Sequence, residues 1–257
     1  MCFEPDSTPP IPAIRGAAVS HDDLVLEARD GNRFAAFAAW PDESAGIGVV
    51  ILPDVRGLYV FYEELALRFA ERGIAAIAFD YFGRTAGATK RGEDFDHTEH
   101  FVQTTQAGVQ ADVGAAVEHL RERGARAVFT VGFCFGGRNS WLAAAGGHGL
   151  AGAVGFYGRP GEDREGNPGP IQRARELDAP ILALQGGADQ NISAEDNAAF
   201  EQALDEAGVE HELVVYDGAP HSFFDRKQEQ FAEASEDAWN RVLGFIANHR
   251  GSKNVLF

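Results

Sequence analysis

Cysteine is nearly absent from this chain of 257 residues: there are two, Cys2 and Cys134. Exported proteins of this size commonly pair their cysteines, and Cys2 lies in a terminal segment. Free thiols in a reducing cytoplasm are therefore the expectation. Basic residues are scarce too, with 22 Lys and Arg against 39 Asp and Glu, a formal net charge of -17. Such a field disfavours phosphate backbones and anionic membrane surfaces, so neither nucleic acid nor membrane is an expected partner. An anionic small ligand would have to be met by a local group of arginines acting against the global charge. No apolar run approaches the roughly 18 residues of a membrane-spanning helix. The opening "MCFEPDSTPPIP" lacks a basic segment leading into an apolar one, so no signal peptide is expected. Linkers, internal repeats and low-complexity segments are also missing, which argues against a second domain.

What the chain does contain is 45% hydrophobic residues, enough for a full core. Residues 1–18 are Pro-rich and without periodicity, an irregular arm. "DLVLEA" (23–28), the turn "RDGN" and "RFAAFAAW" (33–40) read as a hairpin. Continuous apolar strands then alternate with helical stretches: "GIGVVIL" (46–52), a helix over 61–72, "IAAIAFD" (74–80), and a polar loop to about 103. A helix ending near 119–124 follows, then "AVFTVGF" (127–133), a helix after Cys134, and "GLAGAVGFYG" (149–158). "APILALQGG" (179–187) precedes a helix from Ser193 with a capping box to Asp196, then "EHELVVYDG" (210–218) and a final helix over 228–249. Buried strands alternating with helices mean a mostly parallel sheet covered on both faces, an α/β fold with an antiparallel hairpin at its start. One domain over 19–250 is expected, with 251–257 as a tail.

In such a sheet, ligands bind beyond the carboxyl ends of the strands. The residues just past those ends are Asp54 and Arg56, Tyr81 and Arg84, Cys134, Tyr157, Asp189 and His221. "GFCFG" (132–136) has the glycine frame of a nucleophile elbow, with cysteine as the nucleophile. The strand-to-helix turn is so sharp that side chains two positions either side would collide. It also sets the thiol at a helix N-terminus, whose partial positive charge favours the thiolate. The Phe135 N–H then faces a developing oxyanion, and Val55 in the loop after "GIGVVIL" is the expected second donor. The order nucleophile, acid, histidine (Cys134, Asp189, His221) is the order this turn goes with. Asp189 is also an ordinary turn residue, and a lone cysteine is often only a small buried apolar group. The glycine frame with both partners present favours the catalytic reading. His97, Glu99 and His100 have helix-compatible spacing for a metal, but without a further ligand they read as a solvated acidic loop.

These residues resemble the dienelactone hydrolase, or carboxymethylenebutenolidase, family of α/β-hydrolases. The resemblance runs from about residue 19 to 248, carried by "GFCFGG", "GGADQNI" and "GAPHSFFDR", with looser matches at "FDYFGR" and "GFYG". It implies Cys134 as nucleophile, Asp189 as acid and His221 as base. It also implies Arg84 and Arg226 as holders of a substrate carboxylate, and Tyr157 as an active-site tyrosine. Two departures stand out. Asp54 occupies the place of a family glutamate that takes the thiol proton, and the segment between His221 and Arg226 is one residue longer than the pattern. The implied activity is hydrolysis of an ester or enol-lactone bearing a carboxylate, through a thioester, with no metal or organic cofactor. The protein would act as a monomer or small homo-oligomer on a small-molecule substrate, with Asp54 among the substrate-binding residues. The alternatives are a general carboxylesterase or thioesterase and, from a different class, a non-hydrolytic ligand-binding or thiol-sensing module.

Overall fold

A hairpin opens the sheet: β1 (Val19–Glu27) and β2 (Arg33–Pro41) pair antiparallel, and β2 pairs antiparallel again with β4 (Ala75–Phe79). The computed structural model describes residues 3–4, 6–17, 19–92 and 94–251, so Cys2 and positions 252–257 of the expected tail lie outside the described residues. Every other pairing is parallel. β3 (Ile47–Leu52) lies between β4 and β5 (Ala127–Phe133), followed outward by β6 (Gly152–Phe156), β7 (Ile181–Gly186) and β8 (His211–Tyr216). The eight-stranded order is β1-β2-β4-β3-β5-β6-β7-β8.

β3 to β7 are buried along their whole length, which is why they appear in the sequence as unbroken apolar runs rather than alternating ones. Two apolar layers sandwich the sheet. One contains Val49, Ile51, Phe129 and Val131 beneath α1 (Val60–Ala70) and α7 (Ala232–His249). The other contains Val50, Leu52 and Val128 with residues of α4 (Gln106–Glu122), α5 (Phe135–Ala143) and α6 (Ala194–Ala207). The expected capping box is present: the Ser193 hydroxyl accepts from the Asp196 N–H at 3.1 Å, and the Asp196 carboxylate accepts from the Ser193 N–H at 2.9 Å. Where the pattern predicts a polar loop up to about 103, two four-residue helices stand, α2 (Gly83–Ala86) and α3 (Thr98–Phe101). There His100 stacks on Phe95 with ring centroids 5.1 Å apart. Among the described residues no helix is long and apolar enough to cross a membrane.

The N-terminal arm is docked onto the domain. Phe3 and Ile11 are buried in the core, at about 2 kcal/mol each for side chains of this size. Ile14 N–H reaches the Glu71 carboxylate at 3.0 Å. Composition alone hides this, because two anchoring side chains in seventeen residues make no periodic signal.

Candidate active site

The elbow is built by close backbone approach. A Cβ on Gly132 would lie 2.0 Å from the Gly136 carbonyl oxygen, and a Cβ on Gly136 would lie 2.0 Å from the Leu52 carbonyl oxygen. Both glycines are therefore sterically required, and they lock the turn between β5 and α5 onto the end of β3. Cys134 itself has φ 56 and ψ -113 and caps α5. A non-glycine residue there is strained, and it persists only because the surroundings hold it. The Cys134 N–H donates to the Phe156 carbonyl at 3.0 Å, which fixes the elbow to the neighbouring strand end.

Asp189 and His221 come from the loops after β7 and β8. His221 Nδ1 lies 2.6 Å from Asp189 Oδ2. The other carboxylate oxygen, Oδ1, accepts the Asn191 N–H at 2.8 Å, so both lone-pair sets are oriented. Asp189 is thus a turn residue and the histidine's partner at once. An imidazole donating Nδ1–H to this carboxylate presents Nε2 as the acceptor, the tautomer a general base needs. The two loops are stitched together: Ala188 N–H donates to the Ala219 carbonyl at 2.9 Å, and Gly187 N–H to the Tyr216 carbonyl at 2.8 Å. Tyr157, with φ 36, ends β6, and its ring lies 4.9 Å from the His221 ring.

Neither expected oxyanion donor is consumed elsewhere. The Asp54 N–H is taken by the Tyr62 hydroxyl at 2.8 Å, whereas the Val55 and Phe135 N–H groups donate to no other group among the described residues. Tyr81 fixes the loop carrying Val55 by donating to the Pro53 carbonyl at 2.7 Å. The Phe135 ring is boxed edge-on by Tyr81 at 5.2 Å and Phe101 at 5.0 Å.

The acidic and basic residues on the β3–β4 side are paired with one another. Asp54 is buried, and its carboxylate accepts from Arg56 Nη2 at 2.9 Å, Arg56 Nε at 3.2 Å and the Tyr59 hydroxyl at 3.0 Å. Arg56 also donates to the Tyr59 hydroxyl and stacks over that ring at 4.3 Å. Burial beside this carboxylate raises the Tyr59 phenol far above its ordinary range. Arg84, aligned with a substrate arginine by resemblance, forks onto buried Asp112 at 2.6 and 3.0 Å and also binds Asp30 at 2.7 Å. Its charge is spent inside the protein. The reason lies in α4: Asp112, its seventh residue, is buried, and the guanidinium reaching over from α2 covers it together with the Asn32 amide. Arg226 is different. It is exposed, its guanidinium donates to the Ile11 carbonyl at 3.2 Å, and among the described residues no carboxylate pairs with it. The geometry therefore gathers Cys134, Asp189, His221, Tyr157, Phe135 and Val55 at one rim, and engages Asp54 and Arg84 in internal ion pairs.

Sequence reasoning missed two features here. Tyr59 and Tyr62 clamp the Asp54 loop, and their only signal was two tyrosines just past the end of β3. Arg138, the second basic residue to consider near the elbow, is buried and donates to the carbonyls of Arg159 at 3.3 Å, Asn167 at 3.1 Å and Pro168 at 3.1 Å, and to that of Gly161. It thereby ties the Pro/Gly-rich loop after β6 to α5.

Residues 34–250 match the model of the dienelactone hydrolase family. The chain belongs to that family. A Yersinia pestis protein assigned as a carboxymethylenebutenolidase is 31% identical over 231 residues, covering 85% of each chain. The carboxymethylenebutenolidase of Rhodococcus opacus is 28% identical over 257 residues, covering 97% of both. Among solved structures, a Klebsiella pneumoniae protein assigned as a dienelactone hydrolase superposes with a TM-score of 0.77 at 28% identity, over 90% of this chain and 99% of the other. The sheet order and hairpin described above are thus those of an α/β-hydrolase, and the protein is a hydrolase of the dienelactone hydrolase kind that acts on a small molecule.

Proposed function

We propose that the protein opens an ester or enol-lactone by covalent catalysis at Cys134. The observation that carries this reading is the strained thiol at the N-terminus of α5, set at the same rim as a His221–Asp189 pair at 2.6 Å. The Cys134 thiolate attacks the acyl carbonyl, and the Phe135 and Val55 N–H groups hold the oxyanion. The C–O bond breaks, an alcohol leaving with the proton that His221 took from the thiol, or an enolate leaving while that proton passes to solvent, which gives a thioester on Cys134 and a neutral His221. His221 then takes a proton from water as it adds to the thioester, and Asp189 stabilises the resulting imidazolium. Collapse expels the thiolate and releases the acid. A thiol suits an enol ester, because an enolate is a stable leaving group that needs little protonation.

Within this reading Arg226, the rim guanidinium with no carboxylate partner among the described residues, is the group that meets a substrate carboxylate. Arg84 supports the fold through Asp112 instead. Asp54 shapes the oxyanion loop and does not take the thiol proton. Intact-mass measurement after mixing with activated esters and enol-lactones tests the mechanism. A transient acyl adduct that maps to Cys134, accompanied by turnover, is expected. Turnover that persists in Cys134→Ala would remove the thiol from the mechanism.

A further inference from the structure

The N-terminal arm occupies ground that belongs to the site. In a parallel sheet the substrate crevice lies outside the carboxyl ends of the central strands. Between the start of α1 and the ends of β5 and β6, near that end of the sheet, sits Phe3. Its ring stacks on Phe61 at 4.1 Å, lies 6.2 Å from Phe133, the residue before the nucleophile, and meets Tyr157 edge-on at 6.2 Å. Phe3 is only 4% exposed. Tyr157 in turn touches His221.

The arm is fastened to the loop that carries the histidine. Asp225 is buried and accepts from the Ser7 hydroxyl at 2.8 Å and the Thr8 N–H at 3.4 Å. The Arg226 N–H returns to the Thr8 carbonyl at 3.0 Å, and Lys227 pairs with Asp6. Asp225 is thus turned inward, onto the arm, while Arg226 is exposed. The matched family region begins at residue 34, so the arm lies ahead of what the family model describes.

We propose that the arm is a built-in wall of the substrate crevice and that Phe3 is a specificity-determining residue, restricting the site to small, compact esters and lactones. The inference deepens the hydrolase reading and rests on Cys134 being the reactive thiol. A long or bulky acyl group has to occupy the space between Phe61 and Tyr157 that the Phe3 ring fills.

Two readouts test it, one of them independent of turnover. The first is the ratio of kcat/KM for 4-nitrophenyl octanoate to that for 4-nitrophenyl acetate. The second is the ratio of the alkylation rate of Cys134 by N-(1-pyrenyl)maleimide to that by iodoacetamide, quantified on the Cys134 peptide by mass spectrometry. Phe3→Ala should raise both ratios by about tenfold, the size of effect that a few methylenes' worth of pocket space produces. Phe3→Leu, which keeps an apolar anchor and so protects folding, should raise them less, and Phe3→Trp should lower them. Unchanged ratios in folded Phe3→Ala and Phe3→Leu, or equal falls for both esters, would overturn the proposal. A shifted alkylation ratio with no ester turnover and no acyl adduct in the unmodified protein would uphold the wall and remove the hydrolytic reading. Turnover through Cys134 with both ratios fixed would do the reverse.

Discussion

Asp189 and Asp54 are both buried aspartates just past the end of a parallel strand, and they differ in what holds them. Asp189 faces an imidazole and a backbone amide; Asp54 faces a guanidinium and a phenol. An imidazole can take up and return a proton, the property that the proposed mechanism uses. The second partner, a guanidinium, keeps its proton in water, and its pair with Asp54 ties the loop after β3. The contrast extends along the rim. On the β3–β4 side, Asp54, Asp80 and Asp112 are buried carboxylates each met by an arginine: Arg56 at 2.9 Å, Arg91 at 2.8 Å and Arg84 at 2.6 Å. On the β5–β8 side, the ion pair described at the rim is that of Asp189 with His221, at 2.6 Å. One half of the rim carries buried carboxylates paired with arginines, and the other carries the residues that the proposed mechanism uses.

The largest effect should come from breaking the reactive side. Cys134→Ala, His221→Ala and Asp189→Asn are each expected to lower kcat on an activated ester by about 10³- to 10⁴-fold. Asp189→Asn keeps the shape but offers an N–H to Nδ1, which favours the wrong tautomer. Because the three act as a unit, the double variant His221→Ala/Asp189→Asn should lose little more than His221→Ala alone. Additive losses on steady-state kinetics would mean that the two residues work separately.

Breaking the scaffold side should move stability instead. Arg84→Ala strands Asp112, whose carboxyl burial already pushes above its ordinary value even with the guanidinium present. The Asn32 amide still donates to it at 2.9 Å, so a loss of about 3 kcal/mol is expected, at the low end for a broken buried pair. The sign with pH follows from linkage. In the variant the folded pKa of Asp112 rises further above its unfolded value. The deficit is therefore absent below the unfolded pKa and grows as pH rises through the folded one. Urea unfolding should show variant and parent converging near pH 4 and diverging by pH 8. A deficit independent of pH would assign the loss to packing of the arginine stem.

A smaller effect separates the two arginines that the family resemblance groups together. Arg226→Ala should raise KM about fivefold for a carboxylate-bearing lactone, the scale of one exposed ion pair, and leave the KM of a neutral ester alone. Salt should weaken the parent's advantage. Equal KM changes for charged and neutral substrates would assign Arg226 to holding the arm through Ile11.

The fold was legible because a parallel sheet writes each buried strand as an unbroken apolar run, and "AVFTVGF" coincides with β5 residue for residue. The glycine frame of the turn at Cys134 was legible because so sharp a turn demands glycines, and Gly132 and Gly136 are packed against carbonyl oxygens. Charge pairing was not legible. Whether Arg84 faces solvent or Asp112 depends on how α4 lies over the sheet, which no local pattern encodes. Docking of the arm was equally hidden, since Ser7 and Asp225 are separated by almost the whole chain and meet only in the folded state.

The smallest effect tests the comparison at its sharpest point, Asp54. If this carboxylate took the thiol proton, as the glutamate at the matching family position implies, its removal should be as damaging as removal of His221. The structure points the other way, because both carboxylate oxygens are already committed to Arg56 and Tyr59, and proton transfer needs a free acceptor within about 3 Å of the thiol. Asp54→Asn keeps one oxygen acceptor and the shape of the loop. Arg56, partly open to solvent, can be rehydrated when its partner loses charge. A stability loss of about 1–2 kcal/mol, typical of weakening a charge-assisted hydrogen bond, is therefore expected, with kcat falling by no more than about threefold. The rate of Cys134 alkylation against pH should keep a single transition in the variant at the same position as in the parent. A kcat collapse matching that of His221→Ala, or a displaced alkylation transition, would show that Asp54 leaves Arg56 during the reaction and acts on the thiol after all.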